Sequence, residues 1–265
     1  MNKYPPTVDG LLAIMRKLRS PEGCPWDRKQ SYQSLCQTLA EETSELIDAV
    51  DNKDIAEMRE EIGDIMMNLV FYAVIAEERG DFSFADIMAE ITSKMIRRHP
   101  HVFGEAEAAD SDEVLKIWNA IKKDEKHAGR ESAMDGIPKN LSALLQAEKI
   151  QKRAAHYGFD WEKPEQIIEK IEEELDELKQ AFNTGNDDEI DEELGDLFFA
   201  VSNLSRFRKG ATAEDLLRRA NRKFMTRFRH IEQKLAEQNK SLEDSNIVEM
   251  GNLWNDAKRN EVLKL

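Results

Sequence analysis

One arrangement of two acidic pairs at helical spacing occurs twice in this chain of 265 residues. In the first half, Glu45 follows Glu42 and Asp64 follows Glu61, each after three positions. Side chains three or four positions apart share one face of an α-helix, with their Cβ atoms about 5–6 Å apart. Two antiparallel helices would therefore bring four carboxylates around one point. The second half repeats the pattern at Glu174, Glu177, Glu193 and Asp196.

Four unpaired carboxylates around one point would repel each other. The repulsion is roughly 1–4 kcal/mol per close pair at effective dielectric constants between about 80 and 20. A bound divalent cation relieves it, and an all-oxygen ligand set selects Mg²⁺ or Mn²⁺ over zinc. The alternative is a solvated helix face, the commoner origin of a short acidic motif in a chain with 34% charged residues.

Three features favour a metal site over a solvated face. The pattern occurs twice, and Asp64 and Asp196 each directly precede an apolar run. Each aspartate also follows a glycine, Gly63 or Gly195, and a glycine inside a helix costs about 1 kcal/mol relative to alanine. Matched glycines predict either a close backbone approach or room for a ligand at this point of the helix.

The two acidic patterns belong to an internal repeat. Residues 41–45 match residues 173–177, and residues 61–64 match residues 193–196, both at an offset of 132. Three further matches keep the same order in both halves. They are residues 24–27 with 158–161, Lys94 and Arg98 with Lys223 and Arg227, and Trp118 with Trp254. A conserved order of five matches within one chain predicts a duplicated module.

Helical periodicity predominates, so the predicted fold class is all-α, with two tandem four-helix modules that form helical bundles. Apolar residues recur every three or four positions, as at Ile62, Ile65 and Leu69, and no segment has the alternation typical of a strand. Ser83 and Thr212 each precede an aspartate by three positions and predict helix N-termini. The predicted organisation is an N-terminal module over 1–121, a linker over 122–141 and a C-terminal module over 142–265.

Two pairs of basic residues could bind phosphate. Lys223 and Arg227 are four positions apart, as are Lys94 and Arg98, so each pair lies on one helix face. Beside a carboxylate–metal cluster such a pair would form a triphosphate clamp, whereas alone it is more often a plain basic surface. A tryptophan follows each pair and would either stack on a base or pack between helices, namely Trp118 and Trp254.

Composition argues against several classes of protein. A net charge of −15 and a pI near 4.9 disfavour binding to a nucleic-acid polymer. The two cysteines, Cys24 and Cys36, form no Cys-x-x-Cys pair and predict a reducing cytoplasm. No signal peptide is expected, and the longest apolar stretch, residues 65–76, is too short to span a membrane. P-loop, calcium-loop and Glu-x-x-His motifs are absent from the sequence.

In combination these motifs resemble the all-α nucleoside triphosphate pyrophosphohydrolases, and their tandem arrangement is similar to the bacterial MazG family. The resemblance rests on Glu-Glu-x-x-Glu followed by Glu-x-x-Asp in both halves, and on residues 23–27, 97–103 and 149–153. It covers nearly the whole chain. It implies Mg²⁺-dependent hydrolysis of nucleoside triphosphates to the monophosphate and pyrophosphate, with Mn²⁺ as a substitute ion. It also implies broad base tolerance, a homodimer and a cytoplasmic role in clearing unwanted nucleotides.

The resemblance also assigns residues to roles. The metal ligands fall on Glu174, Glu177, Glu193 and Asp196 in the second copy, and on Glu42, Glu45, Glu61 and Asp64 in the first. Triphosphate and base contacts fall on Lys170, Ile171, Glu172, Glu173 and Glu174, on Lys223, Phe224, Met225, Thr226 and Arg227, and on Trp254. The family favours the C-terminal copy as the main catalytic one, although both copies keep all four carboxylates.

The resulting hypothesis is metal-assisted hydrolysis of a triphosphate. Glu173, or Glu41 in the first copy, is the carboxylate beside the ligands that would orient or deprotonate the attacking water. Lys223 and Arg227 would neutralise charge on the leaving pyrophosphate. Two other interpretations stay open. One is a non-catalytic acidic helical protein that binds a basic partner or divalent ions, and the other is a narrower dUTP or phosphoribosyl-nucleotide pyrophosphatase of the same fold.

Overall fold

The computed structural model describes residues 4–126, 131–208 and 210–262, and every regular element within them is a helix. The all-α prediction is therefore confirmed. The chain divides into two compact units, residues 1–128 and 129–265. The module bounds expected from the sequence stay a prediction. No helix in the described ranges is long and apolar enough to cross a membrane.

The first unit packs its apolar residues between a leading helix and a long helical hairpin. Its core is a cluster on the leading helix and the hairpin, with Leu12 and Met15 against Val70, Phe71 and Val74. The helices of this unit are α1 Val8–Arg19, α2 Pro25–Lys29, α3 Tyr32–Asn52, α4 Ile55–Arg79, α5 Phe84–Arg98, α6 Pro100–Phe103 and α7 Ser111–Lys126.

The second unit repeats the leading helix and the hairpin but buries more polar side chains between them. Glu148 and Gln151 on its leading helix are buried, as are Ser202 and Ser205 on the hairpin. Its helices are α8 Ala143–His156, α9 Pro164–Thr184, α10 Asp187–Ser205, α11 Ala213–Ala236 and α12 Ile247–Val262. Over the described ranges, each unit holds five helices of at least twelve residues. They are the leading helix, the two helices of the hairpin and two further helices that follow the hairpin.

Each carboxylate-bearing hairpin turns in only two residues. In the first copy the turn is Lys53 and Asp54, and in the second copy the matching positions are Gly185 and Asn186. The Asp54 and Asn186 side chains each accept a backbone N–H from the first turn of the following helix. So short a turn holds the two helices as close neighbours, and this sets the carboxylates of one helix against those of the next.

The first residue of this turn is left-handed in both copies, at φ 59° for Lys53 and φ 70° for Gly185. A side chain disfavours this conformation by about 1–2 kcal/mol, and glycine does not carry that cost. We therefore expect Lys53→Gly to raise the free energy of unfolding by about 1 kcal/mol, as measured by urea unfolding followed by circular dichroism. Gly185→Lys is the matched reverse change and is expected to lower it similarly. A loss of stability in Lys53→Gly would contradict this account.

The helix starts predicted at Ser83 and Thr212 are confirmed. The Ser83 hydroxyl accepts the N–H of Asp86 at 3.2 Å, and the Thr212 hydroxyl accepts the N–H of Asp215 at 3.1 Å. In return, the aspartate carboxylates accept the backbone N–H of Ser83 and of Thr212. This reciprocal capping begins α5 and α11, the two helices that carry the predicted phosphate-binding cations.

Candidate metal and phosphate site

Three carboxylates meet between α9 and α10. One oxygen each from Glu174, Glu177 and Glu193 lies within 4.8 Å of the other two. Glu174 is only 5% exposed, so the group is set into the hairpin rather than on its solvent face. Burial, followed by the charges of Glu177, Glu174 and Asp196, raises the pKa of Glu193 above its usual range. The structure thus assembles three of the four expected ligands, with Asp196 close enough to act on the group electrostatically.

The first copy assembles the equivalent group between α3 and α4. Oxygens of Glu42, Glu45 and Glu61 lie within 4.8 Å of one another, and Asp64 again stands outside that group. Burial is the main cause that raises the pKa of Glu61, and the charges of Glu45 and Glu42 add to it. Glu61 also has a buried carboxylate oxygen, Oε2, with no hydrogen-bond partner. An unpartnered buried oxygen within an all-carboxylate donor set fits a hard divalent cation.

A lysine distinguishes the second cluster from the first. The Nζ of Lys170 lies 2.7 Å from an oxygen of Glu173 and 2.7 Å from an oxygen of Glu174. These two hydrogen bonds hold the pKa of Lys170 above its usual range. At an offset of 132 the first copy has Thr38, which carries no charge. Glu41, the counterpart of Glu173, instead accepts a hydrogen bond from the Gln37 amide at 2.8 Å.

The predicted phosphate clamp of the first copy is already engaged by acidic residues. Lys94 Nζ lies 3.4 Å from Glu90, and Arg98 lies 2.5 Å from Glu125, which also binds Arg97. The hydrogen bond from Arg98 is the largest cause of a lowered pKa of Glu125. Both cations of this copy thus pair with acidic residues of the same unit.

The predicted phosphate clamp of the second copy lies on α11. Lys223 is exposed on α11, together with Phe224, Met225 and Thr226. The guanidinium of Arg227 lies 5.3 Å from the ring centroid of Trp254, and the Phe224 ring packs against the same tryptophan. In the first copy, Arg98 lies 5.2 Å from the ring centroid of Trp118. Each tryptophan thus supports an arginine, and a base contact at Trp254 stays a prediction.

The glycines beside the carboxylates do not mark a close approach within this chain. A Cβ built on Gly63 or Gly195 would meet no other atom within 4 Å. The expectation of a close backbone approach was therefore wrong for these two positions, because the hairpin leaves open space there. Room for a ligand, the other interpretation of the glycine pair, is compatible with that space.

The sequence did not point to a cavity that lies beside the second cluster. It measures about 480 Å³, and Glu174, Asp196 and Lys170 are among the residues that line it. Gln151 on α8 and Arg206 at the end of α10 also line it. The repeat is the signal that could have found Arg206, because Arg206 matches the apolar Val74 at an offset of 132, whereas Gln151 matches the polar Arg19.

The chain has recognisable relatives. A family model described as the MazG nucleotide pyrophosphohydrolase domain matches residues 30–103 and 162–232. The chain is 42% identical over 259 residues to a nucleoside triphosphate pyrophosphohydrolase of Escherichia coli (strain K12), covering 96% of this chain and 98% of the relative. It is 45% identical over 248 residues to the nucleoside triphosphate pyrophosphohydrolase/pyrophosphatase MazG of Thermotoga maritima, covering 94% of each.

A solved structure is also similar, over less of the chain. The crystal structure of a mazG-related protein from Thermotoga maritima is 34% identical in sequence. The alignment covers 43% of this chain and 98% of that chain, with a TM-score of 0.38.

Proposed function

This chain belongs to the MazG nucleotide pyrophosphohydrolase family, and we propose that it hydrolyses nucleoside triphosphates to the monophosphate and pyrophosphate in a Mg²⁺-dependent reaction with broad base tolerance. The enzyme class is that of relatives 42% and 45% identical over nearly the whole chain. The carboxylate group of Glu174, Glu177 and Glu193 is the observation that supports both the choice of ion and the location of the reaction.

Glu174, Glu177 and Glu193 would hold the ion in the second copy, with Asp196 beside them. When bound, a divalent cation would neutralise negative charge on the phosphate oxygens and lower the pKa of a coordinated water. Mg²⁺ is favoured because all the donors are carboxylate oxygens, and Mn²⁺ shares that preference. The same donors in the first copy are Glu42, Glu45 and Glu61, with Asp64 beside them.

The remaining chemistry falls to side chains around the ligands. Glu173 is adjacent to Glu174 and more exposed, so its carboxylate can orient or deprotonate the attacking water. Lys170 bridges Glu173 and Glu174, and its ammonium is a donor for a phosphate oxygen. Lys223 and Arg227 on α11 would neutralise charge on the leaving pyrophosphate. Stacking on Trp254 would hold the Arg227 guanidinium in place.

We place the main catalytic activity in the second copy. One observation supports this choice. Thr38 stands in the first copy where the second copy has Lys170. The first copy therefore keeps carboxylates that can hold an ion but lacks the lysine that lies beside Glu173 and Glu174 in the second copy.

We further propose that the protein is a homodimer. Large apolar side chains are exposed along the carboxylate-bearing helix α10, among them Phe198 at 61% and Val201 at 49%. Exposed apolar surface on this scale is typical of an interaction face. A second copy is the proposed occupant, as the family resemblance also implies.

Product analysis tests the proposed reaction. The full chain would be incubated with a panel of NTPs and dNTPs, with and without Mg²⁺, and pyrophosphate and orthophosphate would be assayed separately. We expect pyrophosphate and the monophosphate from most bases, loss of turnover in EDTA, and recovery with Mg²⁺ or Mn²⁺. Orthophosphate and a nucleoside diphosphate would show the assigned reaction to be wrong. Turnover of a single nucleotide would replace broad tolerance with a narrow enzyme.

A further inference from the structure

A short segment before α8 forms part of the wall of the cavity in the second unit. The segment is residues 131–136, which we call the strap, and it belongs to the stretch that the sequence predicted to be a linker. All six residues are exposed. Met134 nevertheless lines the cavity of about 480 Å³, together with Lys170, Glu174 and Asp196. The strap therefore supplies a side chain to the candidate site as well as connecting two parts of the chain.

The strap is closed by its own hydrogen bonds. The Asp135 carboxylate accepts the backbone N–H of Glu131 and of Ser132, both at 2.9 Å. The Ser132 hydroxyl accepts the N–H of Met134 at 3.1 Å, and the Ser132 carbonyl accepts the N–H of Asp135 at 3.2 Å. Gly136 follows at φ 77°, a left-handed conformation that favours glycine. A turn that pairs so many of its own polar groups can move as one piece.

One side chain of α8 fastens the strap. The Nη1 of Arg153 donates to the carbonyl oxygen of Ala133 and to that of Asp135, both at 2.7 Å. These two residues flank Met134, so the guanidinium fixes the backbone on each side of the residue that lines the cavity. Hydrogen bonds from a charged donor are stronger than those from a neutral one. Arg153 thus determines where the strap places Met134.

The Met134 side chain is only partly covered. It is apolar, yet it is 40% exposed. A ligand in the cavity would cover part of that surface and gain from its burial. A methionine side chain is unbranched and flexible, so it adapts to ligands of different shape. Contact with such a side chain therefore agrees with broad base tolerance.

We propose that Arg153 is a positioning residue for the second site, which holds the strap in place so that Met134 closes the cavity over a bound substrate. The proposal rests on the proposed function, which puts the triphosphate at Glu174. A strap that is already in place costs the substrate little ordering, whereas a released strap must be ordered on binding. Loss of Arg153 should therefore weaken substrate binding and leave the reaction at the carboxylates unchanged.

Steady-state kinetics of the full chain separate these two effects. We expect Arg153→Ala to raise KM for a nucleoside triphosphate about 10-fold while kcat stays within about 2-fold. Arg153→Lys keeps a cationic donor and should restore KM to within about 3-fold of the wild type. Met134→Ala keeps the strap but removes the apolar contact, so KM should rise about 5-fold. Lys149→Ala removes an exposed charge of the same helix and is the matched control, which should change neither constant.

Hydrogen exchange measured by mass spectrometry reports on the strap without turnover. The probe is the α,β-methylene analogue of a nucleoside triphosphate with Mg²⁺, because the bond that the proposed reaction breaks is not hydrolysed in this analogue. In the wild type, bound analogue should slow the exchange of the amides of residues 131–136 about 10-fold. Without ligand, these amides should exchange about 10-fold faster in Arg153→Ala than in the wild type, and at the wild-type rate in Lys149→Ala.

Three results would overturn the strap. These are an unchanged KM in Arg153→Ala, an equal rise of KM in Lys149→Ala, or strap amides that exchange no more slowly with the analogue bound. Circular dichroism identifies an unfolded variant, and Met134→Ala decides the matter if Arg153→Ala does not fold. Failure of the proposed reaction is seen separately. Orthophosphate as product would overturn the reaction and leave protection of the strap standing, whereas pyrophosphate with an unchanged KM in Arg153→Ala would overturn only the strap.

Discussion

Glu174→Gln is expected to lower kcat/KM for a nucleoside triphosphate by about 100-fold or more, while Glu42→Gln lowers it less than about 2-fold. The substitution keeps the size of the side chain and removes one charge. Glu174 is the buried member of the second carboxylate group and the partner of Lys170, so its loss affects both the ion and the nearby cation. Glu42 is the match of Glu174 at an offset of 132, but it is only partly buried, the buried member of the first group is Glu61, and Thr38 stands at the position of Lys170.

Two controls accompany this comparison. Circular dichroism should show unchanged helix content in both variants, and Mn²⁺ binding followed by electron paramagnetic resonance should show whether one ion site is lost in each. Asp196→Ala tests the carboxylate that stands outside the group of three, and Asp64→Ala is its matched control. Full activity in all four variants would contradict the metal-site assignment. An equal loss in both copies would instead make the first copy a second catalytic site.

The carboxylate groups could be predicted because they depend on local spacing. Glu174 and Glu177 share a helix face whatever the rest of the fold does, and the repeat identifies the next helix, with Glu193, as their neighbour. What spacing could not fix is the distance across the hairpin. The structure brings Glu193 into the group of three and leaves Asp196 outside it. Which of the two residues joins the group depends on how α9 and α10 pack.

Local sequence patterns could not predict the cavity or the buried polar side chains that line it. Gln151 and Arg206 are 55 positions apart in sequence, and only the packing of α8 on α10 brings them to one cavity. Gln151 lies within residues 149–153, which carry the family resemblance, whereas Arg206 belongs to no motif. A position-by-position comparison of the two copies was the available signal, since Asn203 and Arg206 replace the apolar Phe71 and Val74. Burial of these polar side chains is a tertiary property that periodicity does not contain.

Glu148→Ala is expected to lower the free energy of unfolding of the second unit by about 3 kcal/mol. Glu148 is 3% exposed and ties three helices together. Its carboxylate accepts hydrogen bonds from Ser205 on α10 at 2.7 Å, from Lys152 on α8 at 3.0 Å, and from the backbone N–H of Ala213 at the start of α11. Removing it leaves the Ser205 hydroxyl and the Ala213 N–H without this acceptor in a buried place.

The same carboxylate makes a pH prediction with a definite sign. Burial favours the neutral acid, but the hydrogen bonds from Ala213, Ser205 and Lys152 outweigh it, so the pKa of Glu148 is lowered from its usual value. A lowered pKa in the folded state adds stability above the unfolded pKa, near 4.3, and that contribution is lost as the pH falls through the folded value. Urea unfolding of the wild type should therefore lose more stability between about pH 5 and pH 3 than unfolding of Glu148→Gln.

Lys179→Ala provides the matched control for the Glu148 measurements. Lys179 pairs with Asp176 at 2.7 Å, but both side chains are more than half exposed. An exposed pair of this kind contributes less than about 1 kcal/mol, so its removal should hardly change the unfolding curve. If Glu148→Ala proves as mild as Lys179→Ala, the buried carboxylate is not what joins α8, α10 and α11. A large loss confined to Glu148→Ala would show that the packing of α8 against α10 and α11 depends on this buried carboxylate.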